Sequence, residues 1–137
     1  MIFIDTSSLI KRYIEETGSD AVDRFFDESG SICISLVTPV EMRSALKRLL
    51  RENSIKEDAF IKAAGLFETD RLSFVEIPFA EELVVKALSI IDEYNVKTLD
   101  ALQIGAAMLS GADELVTSDR QMYRVFQTMG GAKITFI

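Results

Sequence analysis

The feature that most constrains this chain is a repeated join: a short aliphatic or β-branched run ends, and the next residues are hydroxyl and acidic side chains. Residues 1–4 lead into Asp5-Thr6-Ser7-Ser8, residues 31–37 into Thr38-Pro39-Val40-Glu41, and residues 114–117 into Ser118-Asp119. Apolar runs this short read as buried strands, and Ser, Thr and Asp accept hydrogen bonds from the free N–H groups that open a helix. Strands that alternate with helices form a mainly parallel sheet covered on both faces, because right-handed crossovers place the helices there. The expected fold is therefore a three-layer α/β/α arrangement around about five strands. A chain of 137 residues suits one domain, residues 1–137.

The remaining elements follow from periodicity and caps. Leu9, Ile10, Tyr13 and Ile14 continue the first helix, which Gly18 is expected to end, and Ala21, Val22, Phe25 and Phe26 mark a second amphipathic piece. Thr38 as cap, Pro39 at the first helical position and Glu41 three residues after the cap predict a helix with the apolar face Met42, Leu46, Leu49 and Leu50. Ser54 and Glu57 form a second capping box, opening a helix through Ala59, Ala63, Leu66 and Phe67, so the two make a hairpin. Residues 72–77 predict a strand. Residues 79–94 predict a helix that buries Leu83, Val84, Ala87, Leu88 and Ile91, and Thr98 is the expected cap of a helix over 99–110. Gly111 stops that helix, 114–117 is a strand, Ser118-Asp119 opens the last helix, and 133–137 closes the sheet.

Absences narrow the chemistry. The chain has no histidine, which removes imidazole acids and bases and every His-containing metal site. Its one cysteine, Cys33, lies between Ile32 and Ile34 and reads as a buried structural thiol. No charge-free stretch approaches the length of a membrane span, and the first residues show no basic leader or cleavage site, so the cytoplasm is the expected location. The net charge of −7 means that nucleic acid must be held by local positive charge, not by the field of the whole molecule.

In an open parallel sheet, ligands bind beyond the carboxyl ends of the strands. Asp5 and Asp119 follow strands, Glu41 lies in the first turn after one, and Asp100 lies in the first turn of its helix. Singly, each fits helix capping or a favourable place at the positive end of a helix. Together, carboxylates converging on one rim would repel and raise one another's pKa, so a cation is expected between them. With oxygen donors only, from the acids and from hydroxyls such as Thr6, Ser7, Thr117 and Ser118, the cation is a hard one, Mg²⁺ or Mn²⁺. An ion so held suits hydrolysis of a phosphodiester.

The motifs Ile4-Asp5-Thr6-Ser7, Pro39-Val40-Glu41, Thr98-Leu99-Asp100-Ala101-Leu102-Gln103 and Val116-Thr117-Ser118-Asp119 resemble those of a PIN domain, in that family's order and over nearly the whole chain. The subgroup they look most like is the VapC-type toxin of toxin/antitoxin pairs. The resemblance implies a Mg²⁺- or Mn²⁺-dependent endoribonuclease, usually a homodimer, held inactive by an antitoxin that occupies the acidic pocket and its groove. It also implies a sheet with the first strand central. Carried across by position, Asp5, Glu41, Asp100 and Asp119 become the catalytic and metal-binding quartet, with Thr6 and Thr117 as supporting hydroxyls. The chain departs from the family in Lys97, near a position where many relatives have arginine.

Other chemistries fail on particular residues. Asp5-Thr6-Ser7-Ser8 has no glycine for a dinucleotide-binding turn, and no P-loop lysine motif exists. Ser8-Leu9-Ile10-Lys11 matches the Ser-x-x-Lys of penicillin-binding enzymes, but their companion motifs are missing. Without an imidazole pair, water and not the ribose 2′-hydroxyl is the expected nucleophile, giving 5′-phosphate and 3′-hydroxyl ends. Lys11, Arg12, Arg48 and Lys97 are candidate contacts to substrate or antitoxin, whereas Arg43, Lys47 and Arg51, spaced four apart, read as a solvated helix face. Two other readings stay open: a PIN-like RNA- or protein-binding module without turnover, and a housekeeping nuclease without an antitoxin.

Overall fold

The computed structural model describes all of residues 1–137. The strands are β1 (Ile2–Ile4), β2 (Ile32–Ser35), β3 (Val75–Ile77), β4 (Glu114–Thr117) and β5 (Lys133–Phe136). The helices are α1 (Thr6–Leu9), α2 (Ser19–Glu28), α3 (Thr38–Arg51), α4 (Glu57–Arg71), α5 (Glu81–Glu93), α6 (Thr98–Leu109) and α7 (Arg120–Met129). The strands form one sheet in the order β3-β2-β1-β4-β5, with every pair parallel and β1 central. A strand's side chains alternate between faces, and β1 supplies both cores. Ile2 and Ile4 join Ile34, Leu46 and Phe67 on one side, while Phe3 joins Leu83, Ile104 and Phe126 on the other. Cys33 is buried and unpaired, and burial pushes its thiol up to about 11. No helix is long and apolar enough to cross a membrane.

The chain order reverses at β1: β2 and β3 build outward on one side, then β4 and β5 on the other. Such a reversal opens a crevice beyond the strand ends. Here it lies between β1 and β4, whose register pairs Ile4 with Val116 and so brings Asp5 beside Thr117.

Several local expectations are corrected. The first helix is one α turn followed by a 3-10 turn, Ile10–Arg12, and does not run through Ile14. Gly18 does not end it but starts α2, at φ 97°. A side chain there would be strained by that φ and would place Cβ 2.6 Å from Ile137 Cγ2. Gly18→Ala is therefore expected to lower stability by about 1–2 kcal/mol, measured by urea unfolding.

Neither expected capping box forms. Val37 is the N-cap of α3, Lys56 that of α4 and Lys97 that of α6, none with a side-chain cap bond, so Thr98 does not cap either. Thr38 and Glu41 are occupied by longer-range bonds. Ser54 falls in the turn that closes α3, where its N–H bonds to Leu49 O and Asn53 has φ 56°. Residues 72–74 belong to turns closing α4, with N–H groups bonded to Thr69, Asp70 and Arg71 carbonyls, which shortens β3. On α5 the buried side chains are Leu83, Ala87 and Ile90, while Val84, Leu88 and Ile91 are exposed. Leu83 and Ala87 pack closely over Gly105 of α6, where a Cβ would meet Leu83 Cδ1 at 3.0 Å.

Candidate active site

At the carboxyl ends of β1 and β4 lies a cavity of about 760 Å³, lined by Asp5, Glu41, Asp100 and Asp119 together with Thr6, Ser7, Arg48 and Gln103. The four acids therefore share one cavity, although they come from three separate stretches of chain plus the end of β1. Thr117 sits directly beneath, fully buried.

Asp5 is held most firmly. It caps α1, accepting from Ser8 N at 3.1 Å. Ser7 Oγ lies 2.7 Å and 2.9 Å from its two carboxylate oxygens, and Thr117 Oγ1 donates at 2.8 Å. Ser7 Oγ in turn accepts from Ser118 N at 3.0 Å, and Thr117 Oγ1 from Asp119 N at 3.0 Å, so the loops after β1 and β4 are stitched together. Burial raises the Asp5 pKa to about 6, against the hydrogen bonds from Ser7, Thr117 and Ser8, and the Asp119 charge adds to the rise. Asp119 caps α7 through a bond from Met122 N at 2.9 Å. Asp100 is partly buried, and both its burial and Asp119 raise its pKa, while the Lys97 ammonium works in the opposite direction.

Glu41 is held by a different set of bonds. Thr6 Oγ1 donates to Glu41 Oε2 at 2.6 Å, and the amide nitrogen of Gln103 donates to the same oxygen. That nitrogen also lies 3.0 Å from Thr6 Oγ1 and 3.1 Å from buried Thr38 Oγ1. Gln103 is almost wholly buried, and its own Oε1 has no partner. Rotating the amide would set a carbonyl oxygen against the Glu41 carboxylate, which fixes its orientation. A capping glutamate would instead reach back to the backbone N–H of its own cap residue. Glu41 reaches across to α1 and α6.

None of the four carboxylates is ion-paired. Buried or half-buried acids gathered without a cation are electrostatically uncompensated. Their donor atoms, together with nearby hydroxyls, are all hard oxygens, which fits a small divalent cation. As the side chains stand, no three acids are close enough to share one ion; Mg²⁺ commonly takes only one or two carboxylates and fills its shell with water and phosphate.

The basic residues divide. Arg48 lines the cavity, and Lys97 acts on Asp100 from the start of α6. Lys11 and Arg12 do not line it. Lys11 Nζ donates to Ile137 O at 3.2 Å, and Arg12 is bound to Asp23 at 2.7 Å and lies over the Phe26 ring. Gln103 and Thr38 are the site residues that helix periodicity did not single out. The available signal was one amide among Ala101, Ile104, Gly105 and Ala106 on an otherwise small and apolar helix.

Comparison with solved structures gives the same fold. A toxin–antitoxin complex from Klebsiella pneumoniae is 19% identical, covering 90% of each chain at a TM-score of 0.68. VapC20 of Mycobacterium tuberculosis, described as a sarcin–ricin loop cleaving toxin, is 17% identical over 91% of this chain and 95% of its own, at a TM-score of 0.69. DNA-bound VapBC from Salmonella typhimurium is 18% identical over 98% and 96%, also at 0.69. No curated protein matches by sequence. The PIN domain profile matches residues 2–126 and so takes in all four acids and the strand ends that carry them; the chain belongs to the PIN domain family.

Proposed function

We propose that this protein is a divalent-metal-dependent endoribonuclease, the toxin of a toxin/antitoxin pair, with Asp5, Glu41, Asp100 and Asp119 holding Mg²⁺ or Mn²⁺. The observation that carries the reading is four carboxylates on one cavity at the sheet's switch point with no basic side chain paired to any of them. When bound, the ion supplies charge to neutralise a phosphodiester oxygen and acidifies water. The chain's own residues do the rest. Thr117 and Ser7 fix the Asp5 carboxylate, and Thr6 with Gln103 fixes one oxygen of Glu41 and leaves the other to the cavity. Arg48, two helical turns beyond Glu41 on the same wall, supplies a fixed positive charge for a phosphate or for an antitoxin carboxylate.

The fold shared with toxins from toxin–antitoxin complexes supports a cognate antitoxin here. The exposed stripe Val84, Leu88 and Ile91 on α5 supports a homodimer, because it is apolar surface that a second copy would cover. Residues 1–137 then act as one domain, working in the cytoplasm.

Purified protein with Mn²⁺ is expected to cut cellular RNA at discrete sites and to stop on addition of a chelator. The ends should be 5′-phosphate and 3′-hydroxyl, since no imidazole pair is present to drive cyclisation through the 2′-hydroxyl. Sequencing of ligation-captured ends reads this directly. Cyclic 2′,3′-phosphate products would overturn the mechanism, and intact RNA with Mn²⁺ bound would leave a binding module in its place.

A further inference from the structure

Helix α3 divides two grooves. Glu41, Ala45 and Arg48 face the acidic cavity, while Arg43, Lys47 and Arg51 face a second groove walled by α4. Val40 and Ser44 line both, so the grooves meet across a single low ridge. None of the three cations in the second groove is ion-paired. Two of them are held in place by an aromatic ring: Lys47 Nζ is 4.6 Å and Arg43 Cζ 5.8 Å from the Phe60 centroid. Glu68 is the groove's one acid, and its carboxylate is turned to Arg71 at 3.6 Å.

We propose that this second groove carries the backbone of single-stranded RNA as it leaves the acidic cavity over Val40, with Arg43, Lys47 and Arg51 each meeting one phosphate. The proposal deepens the ribonuclease reading and rests on it for the identity of the polyanion. Residues four apart on a helix recur every ~6 Å, a spacing suited to successive phosphates of an extended strand. In a chain of net charge −7, three unpaired cations in one row make the local positive field that RNA needs. A protein partner would want an apolar centre to its interface; here Pro39 and Val40 are the only apolar lining residues, and Val40 is shared with the acidic cavity. Ring-held cations also lose less freedom when they bind.

The test uses Asp5→Asn protein, so that RNA stays intact, and a short fluorescein-labelled single-stranded RNA followed by anisotropy across a salt series. Replacing Arg43, Lys47 and Arg51 together by Gln is expected to weaken binding about 100-fold near 0.1 M salt, with the gap closing towards 1 M and the log–log salt slope shallower by about 2. A second triple, Arg24, Lys86 and Arg124 to Gln, makes the same change in net charge on other helices and is expected to shift affinity less than about threefold. Equal losses in both triples, or none in the first, overturn the proposal, as does a first triple that keeps RNA but loses a polyglutamate peptide. Circular dichroism confirms that each variant is folded. RNA cleavage by the parent is assayed alongside: parent cleavage with binding indifferent to the groove sinks the groove alone. Groove-dependent binding with no cleavage sinks the nuclease reading alone.

Discussion

In metal-free buffer at pH 7.5, Asp5→Asn is expected to melt higher than the parent, by several degrees, and with Mn²⁺ added it should leave RNA essentially uncut. Burial holds the Asp5 pKa at about 6 against 3.8 for a free carboxyl. The folded chain therefore binds this proton more tightly than the unfolded chain, and stability falls as pH rises from 3.8 to about 6. Above that window the ionised, buried carboxylate costs about 3 kcal/mol. Asparagine has nearly the same shape and never ionises, and the Ser7 and Thr117 hydroxyls that donate to Asp5 can rotate to suit it. The difference in melting temperature should thus be largest above pH 6 and vanish below pH 4, a series that thermal melts across pH would record. Mn²⁺ should raise the melting temperature of the parent and not of the variant. If Asp5 holds the ion as proposed, losing its charge should slow cleavage about 1000-fold or more. A variant that melts below the parent at every pH would mean that the hydrogen bonds to the carboxylate outweigh its burial.

The second large effect is expected at Gln103. Gln103→Leu keeps the volume of a buried side chain but removes the only amide reaching Glu41, Thr6 and Thr38. Glu41 then keeps only the Thr6 hydroxyl, and buried Thr38 Oγ1 loses its amide donor, partly offset by loss of the orphaned Oε1. The net cost to stability should be about 1–2 kcal/mol, seen as a lower urea midpoint with unchanged slope. Cleavage should fall further than stability explains, by about 10–100-fold, because Glu41 is no longer held in one rotamer. Mn²⁺ binding by calorimetry should weaken in step. A Leu variant with parental rate and midpoint would show that Glu41 needs no such support.

These two residues also mark how much could be read without coordinates. Asp5 was legible because its meaning is local: a carboxylate at the end of an apolar run, followed by hydroxyls, is both a helix cap and the rim of a parallel sheet. Asp119 was legible for the same reason, as the cap that follows β4, and Glu41 and Asp100 as acids in first turns. For Glu41, spacing also offers a capping box beside its place in the acidic quartet, because spacing sees only neighbours in sequence, whereas its actual partners are 35 and 62 residues away. Arg12 is a candidate contact to substrate or antitoxin because it lies close to Asp5 in the chain. The 3-10 turn after α1 instead carries it to α2, where Asp23 and the ring of Phe26 take it up.

The order of strands and helices, the buried runs on both faces of the sheet and the set of acids at strand ends were determined by the sequence alone, since each depends on a pattern within a few residues. Which side of α5 stays bare, which hydroxyl serves Gln103 and which cations share a groove were decided only by tertiary structure. Those outcomes depend on how whole helices roll and dock. Local spacing contains no record of a partner that lies on a different element.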